Sequence, residues 1–134
     1  MAMTISLNEL VGWWKLSRVC HEFPGAPTQW PFGHSATGSL VFTSDHRMML
    51  SILGDGFSLN AHGYEVHSGR FALQGSEISM ISDISSRREW THIELKYSTS
   101  LTHGVLYLTS RQVGLLYDGA PFVAASSWVR QPEG

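Results

Sequence analysis

Short runs of apolar and β-branched residues recur along the chain, and clusters of Gly, Pro, Asp and Ser separate them. Runs of this length between turn-forming residues are typical of β-strands. The eight predicted strands cover residues 12–23, 38–44, 47–53, 63–73, 77–84, 88–98, 104–111 and 122–130. A helix is predicted only over residues 5–12, where Ser6 and Glu9 have the spacing of a capping box.

Eight short strands joined by turns predict an all-β fold. We expect a single eight-stranded antiparallel up-and-down barrel over residues 1–134, with a short N-terminal helical turn. A barrel of this strand number encloses an interior cavity just large enough for side chains or one small ligand. The strand count therefore predicts that a functional site lies in the barrel interior.

Composition narrows the class of protein. Only 15% of the 134 residues are charged, 43% are hydrophobic and the formal net charge is −2, whereas an average soluble domain carries about 25% charged residues. Because the chain is apolar enough to form a core and has no basic excess, we expect neither disorder nor nucleic-acid binding. No apolar run approaches the roughly 20 residues that span a bilayer, and no signal-peptide pattern is present. We therefore expect a cytoplasmic protein that does not contact membranes.

Three segments carry a resemblance to a known family. The first, Glu9–Leu16, contains the pattern Gly12-x-Trp14; the second, Trp30–Thr43, contains Trp-Pro-Phe-Gly followed by Ala-Thr-Gly; the third is His-Ser-Gly-Arg-Phe at 67–71. Together they resemble the small lipocalin-like domain family of microbial proteins, which are short relatives of the calycin barrels. The resemblance implies a calycin-type barrel with a small-molecule cavity. It also implies that Arg130 packs over Trp14 and closes one end of the barrel.

Alternation along the strands predicts which side chains face the interior. The predicted inner wall, together with Trp90, which either lines the cavity or fills it, supplies the candidate substrate-binding residues, which are Leu16, Phe42, Met48, Leu50, Phe71, Trp90, Leu95, Leu106 and Trp128. The same alternation places three polar residues on inward faces, Arg18, Glu65 and His67.

These three polar residues are the candidate catalytic residues. An imidazole titrates near neutral pH, which makes His67 the candidate general acid or base. A guanidinium holds a carboxylate or enolate oxygen through parallel hydrogen bonds, which makes Arg18 the candidate anchor. Buried charges need partners, so we expect an Arg18–Glu65 ion pair at one mouth of the barrel, with His67 deeper. The alternative is structural: His67 is then a hydrogen-bonded core histidine, and Arg18 forms an ion pair with Glu65 or Glu22.

No motif indicates a metal or a cofactor. The seven histidines are scattered, without the H-x-H or H-x-x-x-H spacing of a local ligand pair. Cys20 is the only cysteine, so an internal disulfide and a cysteine-based zinc site are excluded. We therefore expect neither a metal nor a cofactor.

Three functions are compatible with these features. The first is a cofactor-free cyclase or isomerase of natural-product biosynthesis, which folds a polyketide-like or terpenoid-like substrate and polarises a carbonyl with Arg18 or His67. The second is a non-catalytic carrier or sequestering protein whose partner is a hydrophobic small molecule. The third is a structural domain filled by its own side chains. We expect a monomer or a homodimer, the latter through strand edges or an outward-facing Trp13.

Overall fold

A computed structural model describes residues 4–55, 63–112 and 120–132. Eight antiparallel strands form a closed barrel in which each strand pairs with its neighbours in the chain and the last pairs with the first. The elements are α1 (Leu7–Leu10), β1 (Gly12–Glu22), β2 (Thr37–Phe42), β3 (Arg47–Leu53), β4 (Tyr64–Gln74), β5 (Glu77–Ser85), a one-turn 3-10 helix (Arg88–Trp90), β6 (Glu94–Thr102), β7 (Val105–Gln112) and β8 (Phe122–Arg130). The predicted all-β up-and-down barrel is confirmed. No helix in the described parts of the chain is long and apolar enough to cross a membrane.

The order of the strands gives the barrel two different ends. The closed end holds α1 and the short β2–β3, β4–β5 and β6–β7 turns. We call the opposite end, where β1, β3, β5 and β7 end, the open end; Phe32 of the β1–β2 connection and Phe122 are buried there. Loops that surround the mouth of a barrel are the usual place for a binding site. The open end is therefore where a functional site is expected.

The closed end is an apolar plug. Leu10, Trp14 and Trp128 are fully buried there, and the Trp14 indole donates a hydrogen bond to the Leu10 carbonyl at 2.9 Å. The Arg130 guanidinium lies over Trp14, 4.3 Å from the ring centroid, and donates to the Val11 carbonyl at 3.0 Å. The packing of Arg130 over Trp14 that the family resemblance implies is present.

The helix that precedes β1 is shorter than predicted. Ser6 and Glu9 form the expected capping box, but the chain leaves the helix before Gly12, whose φ of +137° favours glycine. A Cβ atom at Gly12 would lie 2.9 Å from Arg130 Nη1. Glycine at this position therefore leaves room for the guanidinium that covers Trp14.

The predicted inner wall lies inside the barrel. Phe42 and Phe71 meet edge to face with their centroids 4.9 Å apart, a favourable aromatic geometry. Leu95 is partly buried. The fully or nearly fully buried members of the wall are Leu16, Phe42, Met48, Leu50, Phe71, Trp90, Leu106 and Trp128.

Two segments depart from the predicted alternation. A register shift between Leu16 and Arg18 in β1 adds a residue to one strand of the β1–β8 pair, and such a bulge reverses the faces that follow it. Val19 and His21 are therefore buried, while Arg18 is exposed, so the prediction that Arg18 faces inward is wrong. The sixth strand begins at Glu94 instead of residue 88, because residues 88–90 form the 3-10 turn.

Candidate functional site

Polar side chains collect inside the barrel near its open end. They come from the start of β4 and from the end of β5 with the turn that follows it. We define the polar cluster as Glu65, His67, Ser85, Arg87 and Trp90. His67 and Arg87 each expose only 6% of their surface, which is unusual for ionisable side chains.

A bulge between β4 and β5 builds part of this cluster. The register shifts between Ser68 and Gly69, so Gly69 pairs with Ser82 and His67 pairs with Ser85. A Cβ atom at Gly69 would collide with the backbone of β5, so glycine permits the close approach of the two strands. The bulge reverses the face of the sheet on which the following side chains lie. The Ser85 side chain therefore contacts the inward-facing His67.

Glu65 is the carboxylate at the centre of the polar cluster. Its Oε1 atom lies 3.4 Å from His67 Nε2 and 3.4 Å from Arg87 Nη1. Burial raises the pKa of the Glu65 carboxyl, but the hydrogen bond and charge of His67 and the charge of Arg87 outweigh it, so the net pKa shift is downward. Glu65 is therefore an anion inside the barrel at neutral pH.

His67 is held on both ring nitrogens. Its Nδ1 atom lies 2.8 Å from Ser85 Oγ, and its Nε2 atom faces Glu65. Ser85 Oγ in turn accepts from the Arg87 backbone N–H at 3.0 Å and donates to the Arg87 carbonyl at 2.9 Å. The imidazole also stacks on Trp90, with the centroids 5.7 Å apart. Because Ser85 Oγ donates its only hydrogen to the Arg87 carbonyl, His67 Nδ1 donates to Ser85, and Nε2, beside Glu65, is the nitrogen left for acid–base chemistry.

Arg87 combines close packing with an incomplete set of hydrogen bonds. Its guanidinium carbon lies 3.2 Å from the Trp90 ring centroid, and its Nε atom lies 3.3 Å from Glu89 Oε1. Arg87 Nη2 and Ser110 Oγ are buried without a hydrogen-bond partner among the described residues. Because an unsatisfied buried polar group costs about 1–3 kcal/mol, these two atoms are candidate contacts for a bound molecule or a water.

Further polar groups surround the cluster. The Tyr97 phenol shares a hydrogen bond with Gln112, and its burial, followed by the charge of Glu65, raises its pKa, so the phenol stays protonated. The positive charge of His21 acts on Glu65, and the His21 ring packs on Phe122 with the centroids 4.4 Å apart. The interior at the open end is thus polar on several sides, unlike the closed end.

The structure brings together two of the three predicted catalytic residues. Glu65 and His67 are in contact as inward-facing residues of β4. Arg18 lies elsewhere: its guanidinium packs 4.9 Å from the Trp30 ring centroid on the exposed side of β1. The expected Arg18–Glu65 ion pair is replaced by Arg87–Glu65. Arg87 was not predicted because it lies after β5, and alternation predicts the direction of a side chain only within a strand.

Other candidate chemistries find little support in the described residues. Within residues 4–55, 63–112 and 120–132, no group of three or more His, Cys, Asp and Glu side chains is placed to hold a metal ion. Cys20 is a buried free thiol, and burial is the largest of the influences that give its pKa a net upward shift. Because the thiolate is the nucleophilic form, Cys20 is a poor candidate nucleophile.

A separate groove lies on the outer face of the barrel. It has a volume of about 560 Å³, and its lining includes Trp13, Lys15, Leu53, Tyr64 and Val66. Trp13 is 52% exposed there, in keeping with the predicted outward facing. Because much of this lining is apolar, experiments with apolar molecules must distinguish the groove from the interior.

The barrel has a solved counterpart. The structure of bovine odorant binding protein in complex with a selenium-containing odorant aligns with 100% of this chain and 78% of that chain, at a TM-score of 0.53 and 14% sequence identity. The chain has a lipocalin-like fold. At this identity the likeness concerns the fold alone, and it agrees with the lipocalin-like resemblance of the sequence. No protein-family model and no curated protein matches the sequence of this lipocalin-like barrel.

Proposed function

We propose that the lipocalin-like barrel binds one small, mostly apolar molecule in its interior, with the polar cluster at the polar end of the site. The observation that carries this proposal is the pair of buried atoms, Arg87 Nη2 and Ser110 Oγ, that lack partners among the described residues. Small-molecule sites are typically apolar with a few placed polar groups. The bovine protein of similar fold is in complex with an odorant, which supports a small-molecule ligand for this barrel.

A matched pair of substitutions on β7 tests where the ligand binds. Ser110 faces inward, and the adjacent Thr109 faces outward. The probe is the apolar fluorophore N-phenyl-1-naphthylamine, whose emission rises on transfer from water to an apolar site. We expect Ser110→Phe to abolish the rise and Thr109→Phe to leave it unchanged, with far-UV circular dichroism confirming that both variants fold. Equal fluorescence enhancement in the two variants would place the probe outside the barrel.

Catalysis is the second candidate function, and the contact between Glu65 and His67 favours it. In this proposal His67 Nδ1 donates to Ser85, and Nε2 takes a proton from the carbon next to a bound carbonyl group and later returns it, while the Glu65 carboxylate stabilises the imidazolium formed in between. A cofactor-free isomerase or cyclase of polyketide-like or terpenoid-like compounds needs a step of this kind. Arg18 has no part in it, because Arg18 lies on the outer side of β1.

Hydrogen–deuterium exchange tests this second candidate without knowledge of the natural substrate. The exchange of the α-hydrogens of nonan-2-one in D₂O is followed by NMR with and without protein. Catalysis predicts that the wild-type protein and Arg18→Ala accelerate exchange equally and that His67→Ala does not. If the wild-type protein binds the ketone but the α-hydrogens exchange at the uncatalysed rate, catalysis is contradicted and binding is left as the function.

The remaining expectations from composition stay predictions. These are a cytoplasmic location, the absence of nucleic-acid and membrane partners, and a monomeric or homodimeric state. Cell fractionation and sedimentation velocity test the location and the oligomeric state directly.

A further inference from the structure

The charge balance of the polar cluster restricts the chemistry of the ligand. Arg87 carries one positive charge and faces two carboxylates, Glu65 at 3.4 Å and Glu89 at 3.3 Å. With His67 protonated, these two anions and two cations sum to zero, and with His67 neutral the sum is −1; His21, whose charge also acts on Glu65, adds one positive charge when its ring is protonated. The charge of Arg87 itself is therefore already matched by two carboxylates.

The vacant donor of Arg87 has a different requirement. Arg87 exposes only 6% of its surface, and its Nη2 atom has no partner within the described parts of the chain. This N–H needs an acceptor, because a buried donor without one loses its hydration and gains nothing in return. A third carboxylate would supply the acceptor but would also face Glu65 and Glu89 in a poorly solvated place, where like charges repel strongly. A neutral oxygen supplies the acceptor at no such cost.

We infer that the interior site takes neutral carbonyl compounds with an apolar body, and that the carbonyl oxygen accepts a hydrogen bond from Arg87 Nη2. Ketones, aldehydes and esters belong to this class, and carboxylic acids of the same size are disfavoured. The apolar body then lies against the inner wall, where Leu50, Leu108 and the ring of Trp90 are buried. This inference rests on the proposed binding function and adds the ligand class to it.

Two matched sets of compounds test the ligand class on the wild-type protein. The linear set is nonan-2-one, nonanoate and 1-nonene, and the aromatic set is acetophenone, benzoate and ethylbenzene. Affinities are measured by isothermal titration calorimetry at neutral pH. In the set that fits the cavity, we expect the ketone to bind about tenfold more tightly than the hydrocarbon or the acid, since a hydrogen bond to a charged group is worth about this factor.

The outcomes separate the ligand class from the binding function. A hydrocarbon or an acid that binds as tightly as its ketone overturns the ligand class and leaves interior binding intact. The absence of binding by all six compounds overturns both.

Variants then assign the preference to one residue. Arg87→Lys keeps the positive charge but loses the planar guanidinium group and its Nη2 donor. We expect this variant to bring the affinities for the ketone and the hydrocarbon to within about twofold of each other. Arg47→Lys is the matched control, because Arg47 is an exposed residue whose ion pair with Asp83 lies outside the barrel; its ratio should equal that of the wild type. An unchanged ratio in folded Arg87→Lys contradicts the assignment. Where Arg87→Lys does not fold, the wild-type comparison decides.

Discussion

The two ends of the barrel each pack a guanidinium on an indole, but with opposite consequences. At the closed end, Arg130 covers Trp14, remains exposed to solvent and donates a hydrogen bond to the Val11 carbonyl. At the open end, Arg87 covers Trp90, is buried, and has one nitrogen without a partner among the described residues. The same cation–π contact therefore completes a plug at one end and leaves a donor available at the other.

This difference shows how to separate a structural contact from a site. Geometry alone does not distinguish the two pairs, since both place the cation within 5 Å of the ring centroid. Burial and hydrogen-bond satisfaction do distinguish them, because only the open end keeps desolvated polar atoms that lack partners.

The plug at the closed end is expected to dominate stability. Trp14→Ala removes a fully buried indole and its hydrogen bond to Leu10, and should lower the free energy of unfolding by about 3–5 kcal/mol. The neighbouring Trp13 is half exposed on the outer face, so Trp13→Ala should cost less than about 1 kcal/mol. Urea denaturation measures both. Similar losses in the two variants would mean that the closed end is not a stabilising plug.

Removal of the buried cation at the open end is expected to have the next largest effect. Arg87→Met leaves the Glu65 carboxylate without its arginine partner and should cost about 3 kcal/mol. The double variant Glu65→Gln with Arg87→Met should recover part of that loss, because no uncompensated charge remains. Arg47→Met, at an exposed ion pair, should cost less than about 1 kcal/mol. Additive losses from Glu65→Gln and Arg87→Met would show that the buried charges are not coupled.

Arg130 should contribute less than Arg87. Arg130→Gln removes an exposed cation–π contact and the hydrogen bond to Val11, and we expect a loss of about 1–2 kcal/mol. Ligand affinity should not change, since Arg130 lies at the opposite end from the polar cluster. Thermal unfolding together with calorimetry measures the two quantities. A change in affinity without a change in stability would contradict the division between the ends.

Acid should weaken the open end in particular. Burial raises the pKa of Glu65, yet His67 and Arg87 together bring it below its usual value of 4.5. As the pH falls, the unfolded chain therefore binds a proton at this residue before the folded chain does, and stability is lost. The contribution is fully present above about pH 4.5 and declines below it. Urea denaturation midpoints are measured as the pH is lowered through this range. They should fall less steeply in Glu65→Gln than in the exposed control Glu94→Gln. Equal slopes in the two variants would exclude Glu65 as a cause of the loss of stability in acid.

The fold was largely predictable from the sequence because strand alternation and turn residues are local signals. The resemblance also led to the contact between Trp14 and Arg130, which are 116 residues apart but meet on the paired strands β1 and β8. Glu65 and His67 were predictable for the same reason: the start of β4 keeps a regular alternation, so its facing follows from Phe71.

The rest of the site depended on irregularities that alternation does not detect. The bulge in β1 turned Arg18 outward, and the sequence around Ser17 contains no glycine or proline that indicates it. Arg87 lies beyond the last residue of β5, so its direction is set by Ser85 and by the 3-10 turn instead of by a strand. The run Ser85-Ser86-Arg87-Arg88 before Trp90 was the one available signal, a pair of cations next to an aromatic ring.

Side-chain NMR shows directly whether a ligand binds at the polar open end inside the barrel. Separate ¹⁵N signals report the Arg87 Nε–H group and the indoles of the five tryptophans. On titration with nonan-2-one or acetophenone, binding there predicts that the Arg87 and Trp90 signals shift together and saturate, while the Trp14 signal stays in place. Shifts confined to Trp13, on the outer groove, with the Arg87 and Trp90 signals unchanged, would contradict it.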